Sequence, residues 1–117
     1  MIDDEPAIAC NLNALSRDEQ MRRAELAARL SSAFQEIREI TDGYAARLDF
    51  EPSVCAQALE WLLLERRCCP FLRLEVRLDA QDGPLWLHFG GAPGVKQFLA
   101  AAGIATRAPQ STSRCGC

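Results

Sequence analysis

Between residues 72 and 89 the chain alternates apolar and polar positions in two successive runs, and this restricts the fold more than any other feature. Leu72, Leu74, Val76 and Leu78 are interleaved with Arg73, Glu75, Arg77 and Asp79. After Gln81-Asp82-Gly83-Pro84, the residues Leu85, Leu87 and Phe89 alternate with Trp86 and His88. A period of two puts every second side chain on the same side of an extended strand, and the intervening Gln-Asp-Gly-Pro segment has turn chemistry. Residues 71–90 are therefore expected to form a hairpin, ended by Gly90-Gly91. Its apolar face cannot stand alone in water, so helices or further strands must cover it.

The rest of the chain supplies such cover. Asp42-Gly43, between Phe34-to-Thr41 and Tyr44-to-Phe50, predicts another hairpin over 34–50. In its second strand Tyr44, Ala46, Leu48 and Phe50 would face inward against Ala45, Arg47 and Asp49. Ser16-Arg17-Asp18-Glu19 is a capping box that opens a helix over 17–32, with Met21, Ala24, Ala28 and Leu30 on its apolar face and Leu26 alongside. Leu26, Leu30, Ala33, Ile37 and Ile40 would carry a helical spacing on to Asp42, but Ser31-Ser32 and the turn signal favour a stop at 32. Pro52 suits the first turn of a helix over 53–69, which Pro70 ends; Pro93 and Gly103 bracket a short helix over 93–102. Ile8-Ala9-Cys10 is expected as a short edge strand. The fold class is thus α+β, a mainly antiparallel sheet of two hairpins packed with three helices. Residues 1–105 would form a single domain and 106–117 a flexible tail.

Composition agrees with one folded core: 117 residues, 49% hydrophobic and 25% charged. The formal charge of -3 leaves no basic surplus for phosphates, and Arg17, Arg22, Arg23 and Arg29 are interleaved with Asp18, Glu19 and Glu25, so nucleic-acid binding is disfavoured. The longest apolar runs, such as Trp61-Leu62-Leu63-Leu64, fall far short of the roughly 20 residues of a spanning helix, and the acidic start Met1-Ile2-Asp3-Asp4-Glu5 does not resemble a signal peptide. No membrane association is expected, and the expected location is the cytosol. A reducing compartment disfavours structural disulfides, so the six cysteines are read as metal ligands, redox groups or buried apolar side chains.

Cys68 and Cys69 are adjacent at the end of the central helix. Within an uninterrupted helix each residue turns by about 100°, so their side chains would diverge: Cys68 continues the face of Val54, Ala58, Trp61 and Glu65, and Cys69 that of Cys55, Leu59, Leu62 and Arg66. Pro70 disfavours helical geometry at Cys69 and can re-aim the pair toward one point. Arg66 and Arg67 would favour thiolates there, while Glu65 and the negative helix end oppose them. Burial as small apolar side chains is the competing reading. Cys55 lies fourteen residues before Cys69, a rise of roughly 21 Å along the helix, so it packs elsewhere. Cys10 could bring a third sulfur if the N-terminal segment passes close. Cys115-Gly116-Cys117 can chelate one ion, and the tail, at roughly 17–21 Å as a coil, could bring both sulfurs back to the pair.

The candidate metal ligands are therefore Cys68, Cys69, Cys115, Cys117 and Cys10, a sulfur-only set. Such a set favours Hg(II), Cu(I), As(III) or Cd(II), and admits Zn(II) if four thiolates converge; no organic cofactor is implied. His88, beside Trp86 and across from Arg73, Glu75 or Arg77, reads as a structural or surface residue. No phosphate loop, nucleotide fingerprint or nucleophile–histidine pair appears, so an enzyme is left open rather than favoured. Alternatives to soft-ion binding are a thiol redox enzyme and a partner-binding module, such as a homodimer through the hairpin face that carries Trp86.

The segments Asp42-Gly43-Tyr44-Ala45, Glu65-Arg66-Arg67-Cys68-Cys69-Pro70-Phe71 and Gly94-Val95-Lys96-Gln97-Phe98-Leu99 resemble a group of small, largely uncharacterised bacterial proteins, over most of residues 8 to 100. The resemblance implies a bacterial cytosolic protein with a heavy-metal-resistance or thiol role and brings no established activity. The Cys115-Gly116-Cys117 tail lies outside it.

Overall fold

A computed structural model of the chain describes residues 8–104. Its elements run α1 (Arg17–Ala33), β1 (Glu36–Ile40), β2 (Gly43–Leu48), α2 (Pro52–Cys68), β3 (Arg73–Leu78), β4 (Leu85–Gly90) and α3 (Val95–Ala101), with a 3-10 turn at Leu12–Ala14 ahead of α1. The fold is α+β. Both hairpins form, and β2 pairs antiparallel with β4, so one four-stranded sheet results in the order β1-β2-β4-β3. The proposed boundary between a domain ending at 105 and a tail from 106 lies outside the described residues.

The capping box at α1 is complete: the Ser16 hydroxyl accepts from the Glu19 amide at 3.1 Å and the Glu19 carboxylate accepts from the Ser16 amide at 2.9 Å. The helix turns a different face inward from the one expected. Met21, Ala24 and Ala28 are exposed, and Leu26 and Leu30 are the buried pair. Leu26 and Leu30 join the core where α1 packs against α2, because two leucines bury more apolar area than three small or flexible side chains.

Asp42-Gly43 marks the first hairpin, but the glycine is not in the turn. Ile40 pairs with Gly43, which leaves Thr41 and Asp42 as the loop. Gly43 is required by the sheet instead: it faces Gly90, and a Cβ on it would lie 1.9 Å from the Phe89 carbonyl oxygen. Phe50 falls beyond the end of β2 and is exposed, unlike Ala46 and Leu48. Ile8–Cys10 adds no strand; it is an irregular lead into the 3-10 turn. The last helix is shorter than 93–102 because Gly94 takes a positive φ of 102°, which places the start at Val95.

Register puts Leu85, Leu87 and Phe89 of β4 beside Leu48, Ala46 and Tyr44 of β2, and this face meets the helices. Trp61 of α2 stands between Phe34 and Phe89, with ring centroids 6.5 and 5.7 Å away. On the opposite face Trp86 is covered by the guanidinium groups of Arg38 and Arg77, 4.7 and 5.9 Å from its ring centre, and is only 5% exposed. Trp86, on the hairpin face named for a second copy, is thus stacked beneath two guanidinium groups. His88 pairs across with Glu75, Nδ1 to Oε1 at 3.5 Å, on this same face.

Candidate functional site

α2 carries its apolar face along Ala58, Trp61, Leu62, Glu65 and Cys68, all buried. Helical geometry ends at Cys69, whose φ of -128° and ψ of 70° are those of a residue forced out of the α region by a following proline. This departure re-aims the second thiol. Cys68 Sγ and Cys69 Sγ lie 3.7 Å apart, and both side chains are buried. The adjacent cysteines therefore converge, as the Pro70 argument requires.

Cys10 joins them. The Asn11 amide donates to the Cys68 carbonyl at 2.7 Å, satisfying one of the carbonyls that a helix end leaves open. Gln20 Nε2 donates to the carbonyls of Leu12 and Leu15 at 2.9 and 3.2 Å, and Arg67 Nη2 to that of Ala14 at 3.0 Å. These bonds strap the segment before α1 across the end of α2. Cys10 and Cys69 form a disulfide, with Cα atoms 4.7 Å apart across 59 residues of sequence. The reducing-compartment argument disfavoured such a bond, and proximity overrides it: two strapped segments hold these sulfurs together. The sulfurs of Cys10, Cys68 and Cys69 all lie within 4.8 Å of one another, close enough to hold a metal ion.

Of the other cysteines, Cys55 packs against the core away from this cluster, and Cys115 and Cys117 lie outside the described residues. His88 is on the far face of the sheet, which leaves sulfur as the site's chemistry.

Glu65 stands beside Cys68 and opposes its thiolate, as expected, whereas Arg23 was not foreseen as a neighbour of the thiols. Arg23 comes from α1, and its Nη2 donates to Glu65 Oε1 at 3.3 Å; its Nε sits 3.0 Å from Oε2, off the line that a hydrogen bond needs. The sequence held a signal for both. Arg23 precedes Leu26 and Leu30 by three and seven positions, and Glu65 lies between Trp61 and Cys68 at the same spacing, so each is a charge on an apolar helix face. Arg66 and Arg67, the cations expected beside the thiols, are exposed, and Arg67 is engaged by Glu19 at 2.8 Å.

Burial pushes the Cys68 thiol above its ordinary value; Arg23 pulls it down and Glu65 pushes it up. Cys68 is consequently a protonated thiol at neutral pH, donating weakly to the Glu65 carbonyl at 3.7 Å. An incoming soft ion would have to displace that proton. Beside the sulfurs lies a half-open cavity of about 100 Å³, walled by Cys10 and Cys69, by Arg23 and Glu65, and by Trp61 and other apolar side chains.

Among the described residues no helix is long and apolar enough to cross a membrane. No protein-family model, curated protein or solved structure matches the chain.

Proposed function

We propose that this chain binds thiophilic ions through Cys10, Cys68 and Cys69, as a scavenger, chaperone or sensor in the bacterial cytosol, and that the Cys10–Cys69 disulfide is the closed form of the same site. The observation that carries the reading is the meeting of three sulfurs within 4.8 Å at one helix end. Around an ion with metal–sulfur bonds of about 2.3 Å, tetrahedral geometry separates two sulfurs by about 3.8 Å. The 3.7 Å between Cys68 and Cys69 already matches that spacing. Three thiolates suit As(III), Hg(II) or Cu(I), whereas Zn(II) or Cd(II) would call on a further sulfur, for which Cys115 and Cys117 are the remaining candidates. The Glu65-to-Phe71 resemblance supports a heavy-metal-resistance role.

The test begins with protein reduced by a trialkylphosphine and freed of it by gel filtration without air, then titrated with Cu(I), Hg(II) or As(III). Sulfur-to-metal absorption bands and adduct mass report binding. The Cys68→Ser/Cys69→Ser variant is expected to bind weaker by about a hundredfold, the scale of losing intramolecular chelation. Equal affinity in parent and variant would exclude the cluster as the site.

A thiol redox role is the second reading, favoured by a free thiol 3.7 Å from a disulfide sulfur. It requires Cys68 to exchange with the Cys10–Cys69 bond. Turnover of a small disulfide, abolished by Cys68→Ser while ion binding is absent in the parent, would select it over the first.

A further inference from the structure

The three sulfurs are not equivalent. Cys10 and Cys69 form part of the wall of the half-open cavity, and Cys68 does not. The remaining wall is largely apolar, with Trp61, Leu72, Phe89, Phe98, Leu99 and Ile104 around a space of about 100 Å³. A bare ion needs no such space, since its own coordination sphere ends at the sulfurs. Trp61 adds an independent sign of a missing occupant: it is 5% exposed, lines this cavity, and its Nε1–H has no hydrogen-bond partner among the described residues. A buried donor left unpaired is costly, and the face of an aromatic occupant is an acceptor for it through an N–H···π contact.

We infer that the reduced site accepts soft ions that carry one organic group, with monoorganic arsenic(III) as the best-matched class: arsenic bridges Cys10 and Cys69 while its organic group occupies the cavity. This rests on the thiophilic-ion reading and deepens it. The two-sulfur demand of R–As(III) meets the two sulfurs that face the space, whereas bare As(III) demands a third and must recruit Cys68. An apolar pocket of this size suits groups from methyl to phenyl; an engineered apolar cavity of about 150 Å³ in another protein takes up benzene.

The steps balance. A trialkylphosphine and one water convert the disulfide to two thiols, the phosphine leaving as its oxide. The hydrated form of phenylarsine oxide, R–As(OH)2, then exchanges both hydroxyls for the Cys10 and Cys69 sulfurs. Two As–S bonds form, two As–O bonds break, the thiol protons leave with the hydroxyls as two waters, and arsenic remains As(III). As(OH)3 exchanges three hydroxyls for three sulfurs and releases three waters.

The experiment compares phenylarsine oxide with arsenite on the full chain carrying Cys115→Ser and Cys117→Ser, so that the tail does not chelate either probe. Binding is read from thiol loss, adduct mass and tryptophan fluorescence. Relative to this parent, Cys68→Ser is expected to raise the ratio of phenylarsine oxide to arsenite affinity by about tenfold or more, through loss of one chelating sulfur. Leu99→Trp, which fills the cavity, is expected to lower the same ratio by about tenfold or more, the scale of overpacking an apolar site. A size series on the parent needs no folding control: 4-biphenylarsine oxide should bind about tenfold weaker than phenylarsine oxide once each is normalised to its affinity for free dithiothreitol. Ratios that both variants leave in place, or biphenyl and phenyl probes bound alike, overturn the cavity assignment. A parent that binds neither arsenical overturns the ion-binding reading itself.

Discussion

Cutting the Cys10–Cys69 bond is the perturbation whose size the structure sets most directly. The disulfide joins positions 59 residues apart, the segment before α1 to the end of α2. For a closed loop of that length the chain-entropy relation gives about 4 kcal/mol of stabilisation, through the freedom it removes from the unfolded chain. Measured values commonly fall below the relation, so about 2–4 kcal/mol is the expected range. A domain of roughly 100 residues has an unfolding entropy near 0.2 kcal/mol/K at its midpoint, so the melting temperature should fall by about 10–20 °C on reduction. Calorimetric or circular-dichroism melts of oxidised and phosphine-reduced protein, in the background that lacks Cys115 and Cys117, measure this. Cys10→Ser should melt where the reduced parent melts, and phosphine should not move it. The reasoning is refuted if oxidised and reduced parent melt together, or if phosphine still lowers the midpoint of Cys10→Ser.

Three further outcomes follow from the geometry. Pro70→Ala should let α2 continue through Cys69 and turn its sulfur away by about 100°, so that free-thiol titration of air-oxidised protein finds two more thiols than in the parent. Arg67, with the Ser16 amide, holds the Glu19 carboxyl at about 2 against an ordinary 4.5; its stabilising effect is complete above 4.5 and is lost as pH falls toward 2, and in Arg67→Ala the NMR-observed titration of Glu19 should move back up toward 4.5. Gly43→Ala places a Cβ against the Phe89 carbonyl and should destabilise the sheet by about 2 kcal/mol or more, read from the denaturation midpoint; a neutral outcome would mean β2 and β4 part more easily than their register suggests.

The architecture was largely legible because period-two alternation and helix punctuation are local. Leu85, Leu87 and Phe89 declare their face without reference to the rest of the chain, and Ser16 with Glu19 declares a helix start. What could not be read was partnership at a distance. Two competing stripes on α1 each satisfied a helical spacing, and only packing against α2 decided that Leu26 and Leu30, not Met21, Ala24 and Ala28, turn inward. The same limit applies to the site. Pro70 announced that Cys69 leaves the helix, which was enough to bring the adjacent thiols together, but the arrival of Cys10 depends on hydrogen bonds from Asn11, Gln20 and Arg67 that no local pattern contains. Glu65 was legible as the carboxylate opposing the thiols, whereas Arg23 was visible only as a charge on an otherwise apolar face.

Burial and reactivity pull against each other in this cluster, and the N-terminal strap reconciles them. Cys68 is fully buried and Cys69 is 1% exposed, so a ligand approaching from solvent meets Cys10 first. On the proposed ion-binding reading, an ion would reach Cys10 and Cys69 from the half-open cavity, and reaching Cys68 would require the strap to open locally. Once an ion joins Cys10 to Cys68 and Cys69, it ties the same two segments that the disulfide ties, and it stabilises the folded chain by mass action. On the proposed reading, oxidation and ion binding would compete for one closed geometry. With neither tie in place, only the hydrogen bonds from Asn11, Gln20 and Arg67 would hold the strap, so the reduced, ion-free state would be the one most open to exchange.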